Sequence, residues 1–127
     1  MNFMKRTFLF CLLFGVAQTS GLCMDRLSAL SMLETGDNDR VVGRRGEISR
    51  YQILPSEWRR YGAGNPQSVT AATQAVRRIM AARVGRRCCA ALTNFDFYVL
   101  WNAPAQVGHP SSVVRERAQR FANLCSR

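Results

Sequence analysis

Beyond residue 21 the sequence has no lysine, only one histidine, and no internal repeat or low-complexity tract. The cysteines form no second pair at the spacing of metal ligands, and the lone His109 stands far from them, before Pro110 in a loop-like stretch. Structural zinc sites need four such ligands close together. We therefore expect no metal ion and no cofactor, and we interpret His109 as a surface or capping residue.

Long hydrophobic runs are also scarce. The apolar run at residues 7–17 follows Lys5 and Arg6 and precedes a small-residue region. It covers about 11 residues, whereas a membrane-spanning helix needs roughly 20. The pattern therefore indicates a secretory signal peptide rather than an uncleaved membrane anchor.

Small residues allow cleavage of this segment after Thr19 or after Gly21, and the pattern does not distinguish the two sites. A lipoprotein anchor on Cys23 is less favoured because Leu22 stands where a small residue is expected. We expect residues 1–21 to be a signal peptide and residues 22–127 to form one domain. The protein would then be exported, to the periplasm or the extracellular space.

The formal net charge is +10, and all cations beyond residue 21 are arginines. This balance favours anionic partners such as wall polymers, lipid surfaces or extracellular nucleic acid, although arginine usage of this kind also follows from a GC-rich genome. Nucleic-acid binding needs arginines that cluster with aromatics or lie on a groove-entering helix, whereas these form scattered doublets. We expect no nucleic-acid partner, and a monomer with peripheral contact to the wall or a membrane surface.

Four cysteines remain after the predicted signal peptide, namely Cys23, Cys88, Cys89 and Cys125. An even number suits an oxidising compartment. Three pairings are possible, and a bridge from Cys23 to Cys125 or to the Cys88/Cys89 pair would tie a chain end to the body of the domain. Sequence alone does not rank these pairings.

Apolar residues at helical spacing, bounded by Gly, Pro and Ser, predict five helices. They cover residues 24–34, 55–61, 67–84 and 94–101, and a last segment capped by Ser111 or Ser112. In the last segment Val114, Ala118, Phe121 and Cys125 fall on one stripe. Residues 36–50 predict a loop or irregular hairpin, and residues 51–54 look like a strand. The predicted class is mainly α, a single domain of about five helices with a small loop or β-hairpin after the first helix.

Glu34 lies in the last turn of the first helix, which Thr35 and Gly36 end. Glycosidic bonds are cleaved through an oxocarbenium-like transition state, with a protonated carboxyl at the leaving oxygen. The helix C-terminus disfavours negative charge by about 0.3 to 1 kcal/mol, which is too little alone. We expect aromatic residues from 95–101 to desolvate Glu34 in a cleft. The alternative is a solvated glutamate paired with an arginine.

Several residues follow Glu34-Thr35 at fixed offsets. They are Asn38, Gly46, Gln52-Ile53-Leu54-Pro55 and, further along, Trp101-Asn102-Ala103-Pro104. Over about residues 24–107 the chain resembles the lytic transglycosylases of the soluble-transglycosylase type, which share a goose-type-lysozyme-like fold. Their pattern runs E-S-x-x-N-P, a loop, then G-A-x-G-L-M-Q-I-x-P, and later Y-N-A-G. The resemblance implies a single lysozyme-like domain.

The resemblance also implies cleavage of the β-1,4 bond between N-acetylmuramic acid and N-acetylglucosamine in peptidoglycan glycan strands, with Glu34 as the catalytic residue. The residues it assigns to substrate binding are Thr35, Tyr51, Gln52, Tyr98, Trp101 and Asn102. The chain departs from the family at residues 49–51, where Ser-Arg-Tyr replaces the Gly-Leu-Met that lines the glycan groove. It departs again where Trp101 replaces a tyrosine that bonds the catalytic carboxylate, and Tyr98, one helical turn earlier, is the candidate substitute.

In the reaction of this family a single carboxyl protonates the leaving oxygen and then deprotonates the C6 hydroxyl, which closes on C1 to give an anhydro sugar. Hydrolysis would instead need a water and usually a second carboxylate as base. Asp37, Asp39 and Glu47 are available, although each also suits a solvated turn. A non-catalytic wall-binding protein on the same fold is the other alternative.

Overall fold

The computed structural model describes residues 24–85 and 91–126, which are mainly helical. The helices are α1 (Arg26–Thr35), α2 (Pro55–Tyr61), α3 (Val69–Val84), α4 (Asn94–Asn102) and α5 (Ser112–Cys125), with a 3-10 turn at Pro104–Gln106. No strand forms within the described residues. The mainly α class expected from the sequence is thereby confirmed, and the helix boundaries lie within two residues of the expected ones.

Helix α1 is defined by a cap at each end. The carboxylate of Asp25 accepts the backbone N–H groups of Leu27 and Ser28, which have no partner inside the helix. Gly36 ends the helix in a left-handed conformation (φ 63°), and its N–H donates to the carbonyl of Met32. These caps fix the length of α1 and place Glu34 in its last turn.

The segment between α1 and α2 is a loop closed by one pair of residues. Ile48 and Ile53 form an antiparallel bridge through two backbone hydrogen bonds of 2.8 Å. Between them the chain turns, because Ser49 and Gln52 both take left-handed backbone angles, with φ of 67° and 54°. The strand expected over residues 51–54 is therefore wrong: only Ile53 pairs, and Gln52 belongs to the turn.

The core lies between α1, α3, α4 and α5. Helix α3 buries Ala72, Ala75, Val76, Ile79, Met80 and Val84 and leaves Arg77 and Arg78 exposed. Helix α4 packs on α5, where Phe97 stacks on Phe121 at 5.7 Å between ring centroids and Tyr98 lies 5.3 Å from the same ring. The predicted stripe of α5 is buried at all four positions. Full burial of an aromatic such as Phe121 contributes about 1.5 to 3 kcal/mol.

The two ends of the described chain meet. The N–H of Met24 donates to the carbonyl of Leu124 at 3.4 Å, beside the buried Cys125 in the last turn of α5. The predicted signal peptide lies outside the described residues, as do Cys23, Cys88 and Cys89, so the disulfide pairing stays a prediction. Among the described helices, none is long and apolar enough to cross a membrane.

Candidate active site

A cleft of about 380 Å³ opens where the C-terminal ends of α1 and α4 meet the loop and α2. Four of the residues assigned to the site from sequence line it together: Glu34, Gln52, Trp101 and Asn102. They come from three separate segments of the chain. The fold therefore gathers at one cleft most of the positions that the sequence pattern pointed to.

Glu34 is a nearly enclosed carboxylate of this cleft, with 8% of its side chain exposed. The hydroxyl of Tyr98 donates to its Oε1 at 2.8 Å, and Nη2 of Arg117 donates to its Oε2 at 3.1 Å. The Nε of Arg117 also donates to the Tyr98 hydroxyl at 2.8 Å. The three side chains thus form a closed triangle of hydrogen bonds that fixes the orientation of the carboxyl group.

The triangle sets the protonation of two of its members. Burial, and then the nearby Glu34 carboxylate, raises the pKa of Tyr98 far above its usual value, so the hydroxyl remains a donor. Burial alone would lower the pKa of Arg117, but the charge of Glu34 and the Tyr98 hydroxyl outweigh it and raise this pKa. Arg117 therefore stays cationic beside Glu34.

Gln52 faces the same cleft from the loop. Its left-handed backbone is uncommon for a residue with a side chain and costs of order 1 to 3 kcal/mol. Its amide donates to the carbonyls of Val41 and Ser49 at 3.3 and 3.4 Å. Gly43 lies so close that a Cβ there would overlap the side chains of Gln52 and Glu47. The loop is thus folded tightly around the position of the Gln52 amide.

Trp101 lines the cleft from the end of α4 and is held by Arg83. The guanidinium of Arg83 lies 5.4 Å from the Trp101 ring centroid, donates to the carbonyls of Leu100 and Trp101, and pairs with Glu57 at 3.1 Å. A cation at the C-terminus of α4 also complements the helix dipole. The next residue, Asn102, is exposed at the mouth of the cleft, and Ala103 rather than Asn102 caps the helix.

Three residues assigned to substrate binding do not line the cleft. Tyr98 is fully buried and contacts Glu34 and Arg117 behind the cleft surface. The other two, Thr35 and Tyr51, lie elsewhere. The hydroxyl of Thr35 donates to the carbonyl of Arg50 at 2.9 Å and so ties α1 to the loop. Tyr51 is 3% exposed, and its hydroxyl is bonded to that of Thr73 at 3.0 Å in the core. Neither lines the cleft. The structure gives both residues a role in packing the loop against the helices.

The carboxylates considered for a second catalytic role separate into two groups. Asp37 and Asp39 pair with Arg50, at 3.7 and 2.7 Å, and do not line the cleft. Glu47 does line it, and its Oε2 accepts the backbone N–H of Arg45 at 2.8 Å. Glu47 is therefore the one of the three that shares a cavity with Glu34.

Sequence reasoning missed Arg117, which pairs with Glu34, and Arg83, which supports Trp101. Arg117 precedes the buried Ala118 at the edge of the apolar stripe of α5. That position shows only that its side chain can reach a neighbouring helix, and gives no hint of which one. The crossing of α5 over α1 determines that its partner is Glu34.

Within residues 24–85 and 91–126 no group of three or more His, Cys, Asp or Glu side chains is placed to hold a metal ion. A second cavity, of about 560 Å³, is lined by residues of α3, α4 and the segments before and after α4, and contains none of the predicted site residues. The chain matches no protein-family model, no curated protein and no solved structure. Its function has to be argued from the cleft at Glu34.

Proposed function

We propose that the protein is an exported muramidase that cleaves peptidoglycan, acting as a lytic transglycosylase on the β-1,4 bond between N-acetylmuramic acid and N-acetylglucosamine. The observation that carries the proposal is the setting of Glu34, a nearly enclosed carboxyl at the end of α1 that lines a cleft and accepts the Tyr98 hydroxyl at 2.8 Å. Catalytic carboxyls of glycosidases need this combination of enclosure and access to the substrate.

The chemistry assigned to Glu34 has two steps. As an acid it protonates the leaving glycosidic oxygen, and as a carboxylate it then takes the proton of the muramoyl C6 hydroxyl, which closes on C1. The Tyr98 hydroxyl holds Oε1 throughout, so the other oxygen, Oε2, is the one that exchanges the proton. Export to the periplasm or beyond is part of the proposal and rests on the N-terminal sequence pattern.

Arg117 has to move for the acid step. Its guanidinium stabilises the Glu34 carboxylate and occupies Oε2, the oxygen that would carry the proton. With 41% of its side chain exposed, Arg117 can turn into solvent when a glycan strand enters the cleft. The ion pair therefore represents the resting state, and the second step, in which Glu34 is a base, benefits when the guanidinium returns.

Hydrolysis of the same bond is the alternative to transglycosylation, and the position of Glu47 supports it. A hydrolase usually uses a second carboxylate, either as the base for a water or as a nucleophile, and Glu47 lies in the same cleft. Transglycosylation needs only Glu34. The chemistry of the product separates the two, since transglycosylation leaves anhydro-muramoyl ends and hydrolysis leaves reducing ends.

A wall-binding protein without catalytic activity is the second candidate. The ion pair between Arg117 and Glu34 favours it, because the guanidinium occupies Oε2, the oxygen that would carry the proton during catalysis. In this alternative Glu34 would serve only to position Arg117 in the binding cleft.

Purified protein lacking residues 1–21 should be incubated with peptidoglycan, and the soluble products identified by mass spectrometry. The proposal predicts anhydro-muropeptides from the parent protein and at least about a hundredfold less from Glu34→Gln, since general acid–base catalysis contributes typically 10² to 10⁴. Glu116→Gln, on the exposed side of α5, is the matched control and should release the same products as the parent. If the parent releases nothing and Glu34→Gln binds peptidoglycan equally well, the enzyme is ruled out in favour of the binding protein.

A further inference from the structure

Some of the charged side chains that line the cleft are paired with an opposite charge in the described part of the chain, and others are not. Its walls carry three carboxylates, Glu34, Glu47 and Glu57, and four guanidinium groups, Arg44, Arg45, Arg83 and Arg117. Arg117 pairs with Glu34 and Arg83 with Glu57, each at 3.1 Å. The Glu47 carboxylate accepts a hydrogen bond from the backbone N–H of Arg45, and the guanidinium of Arg45 takes no part in this contact. Two exposed guanidiniums, those of Arg44 and Arg45, are left without a side-chain partner among the described residues.

These two arginines occupy the tip of a tight turn. The N–H of Gly43 donates to the carbonyl of Glu47 at 2.9 Å, and the N–H of Gly46 donates to the carbonyl of Gly43 at 3.0 Å. Gly46 has the positive φ of 79° that such a turn needs. Because Gly43 also packs directly against Gln52 and Glu47, the turn has a fixed position on the wall of the cleft. It therefore presents two adjacent cations at a defined place beside the cavity that contains Glu34.

Adjacent guanidiniums suit a planar anion with two oxygens, since an arginine can bind a carboxylate through parallel hydrogen bonds. We propose that the Arg44-Arg45 turn binds a carboxylate of the substrate and thereby selects glycan strands that carry one next to the bond facing Glu34. This inference rests on the proposed function, because it names the feature by which the same cleft would choose its glycan.

Peptidoglycan offers this carboxylate from two chemical sources. Strands that carry stem peptides have carboxylates on those peptides, and their lactyl carboxyl is not free because it forms the amide bond to the peptide. Strands stripped of their peptides have a free lactyl carboxylate and no stem. Both present the same chemistry to the Arg44-Arg45 turn, so the two strand types form the two arms of the test.

Binding should be measured on the Glu34→Gln background, so that no strand is cut during the assay. Each arm compares unmodified strands with strands whose carboxylates have been amidated. The test variant is Arg44→Gln/Arg45→Gln, and the matched control is Arg59→Gln/Arg77→Gln, which removes the same charge from exposed positions on α2 and α3 outside the cleft. Far-UV circular dichroism establishes that both variants are folded.

We expect the test variant to bind unmodified strands about tenfold more weakly in at least one arm, and the arm affected identifies the carboxylate. Amidated strands should bind the test variant and its Glu34→Gln parent alike, and the control should bind as the parent does. Equal weakening in both double variants, or full binding of amidated strands by the parent, would overturn the inference.

Cleavage assays with wild-type Glu34 separate this inference from the proposed function. Products that form equally well with and without Arg44 and Arg45 support the enzyme and overturn carboxylate selection. If binding depends on the carboxylate but no cleavage products form, carboxylate selection is supported and the proposed enzymatic function is overturned.

Discussion

The guanidinium of Arg117 lies 3.1 Å from Oε2 of Glu34, although the two residues are 83 positions apart in the chain. The same guanidinium bonds the hydroxyl of Tyr98, which itself donates to Glu34. Contacts from α4 and α5 therefore determine the orientation of the candidate catalytic group on α1.

Replacing Arg117 should change how readily a glycan strand binds in the cleft. The guanidinium has to leave Oε2 of Glu34 before the acid step, and breaking a partly exposed ion pair costs about 0.2 to 1 kcal/mol, so Arg117→Gln should lower the KM for glycan strands by up to about fivefold. The measurement is the rate of muropeptide release at increasing concentrations of strands. Arg120→Gln, which removes an exposed arginine of the same helix paired with Glu116, should leave the KM unchanged. A KM that does not fall in Arg117→Gln would contradict the displacement of Arg117 by the substrate.

Tyr98→Phe removes a buried hydroxyl that both accepts and donates a hydrogen bond. Hydrogen bonds to charged groups contribute about 1.5 to 3 kcal/mol, so we expect the free energy of unfolding to fall by about 2 kcal/mol and cleavage to slow at least tenfold. Urea denaturation and product release measure the two effects. Thr73→Val is the control, since it removes the hydrogen bond to the core residue Tyr51 and should lower stability while cleavage continues at the parental rate. Equal rates for Tyr98→Phe and the parent would mean that the hydroxyl only supports the fold.

Gly43→Ala should disturb the cleft more than it disturbs the fold. The added methyl overlaps the side chains of Gln52 and Glu47, which must shift, and we expect cleavage to fall about tenfold. Gly64→Ala provides the contrast: its φ is 77° and the space around it is open, so it should lose about 1 kcal/mol of stability and retain cleavage. Similar activities for the two variants would count against a role for the Gln52 wall.

Asp25 gives a prediction about stability and pH. Hydrogen bonds from Ser28, its hydroxyl first, hold the pKa of Asp25 below its usual value. A lowered folded-state pKa means that the stabilisation is present above the unfolded-state pKa and is lost as the pH falls through the folded-state pKa. Asp25→Ala should therefore cost about 1 kcal/mol at pH 7, and the gap from the parent should narrow towards pH 2. Asn also caps helices but does not titrate, so the free energy of unfolding of Asp25→Asn should stay near that of the parent at pH 7. If the stability difference between Asp25→Ala and the parent is the same at every pH, the argument is contradicted.

The helices were predictable because each carries its own signals. Ser68 and Ser111 cap α3 and α5, Pro55 opens α2, and Gly36 ends α1. These signals are local, so they predicted the helix ends correctly without any knowledge of the tertiary contacts. The same local signals placed Glu34 at the end of its helix.

The loop was less predictable. The alternation of residues 51–54 fits a strand, but the chain turns at Ser49 and Gln52 in left-handed conformations that residues with side chains seldom adopt. Non-local contacts impose that turn: the pairing of Ile48 with Ile53, and the hydrogen bonds of Thr35 to Arg50 and of Tyr51 to Thr73. The charge partners of the cleft were unpredictable for a similar reason, since Arg117 and Arg83 reach Glu34 and Glu57 across helix crossings that the periodicity of the sequence does not specify.

The hydrogen bond between Met24 and Leu124 brings the two ends of the described fold next to each other. Its two ends meet at the beginning of α1, and Glu34 lies about 12 Å further along that helix at a rise of about 1.5 Å per residue. A short linker between Met24 and Ser126, with new termini opened in the exposed turn around Gly64, should therefore preserve the packing of α1 on α5. For the same reason, an attachment at either of these two ends of the described fold would leave from the end of α1 opposite Glu34 and keep the cleft open to a polymer.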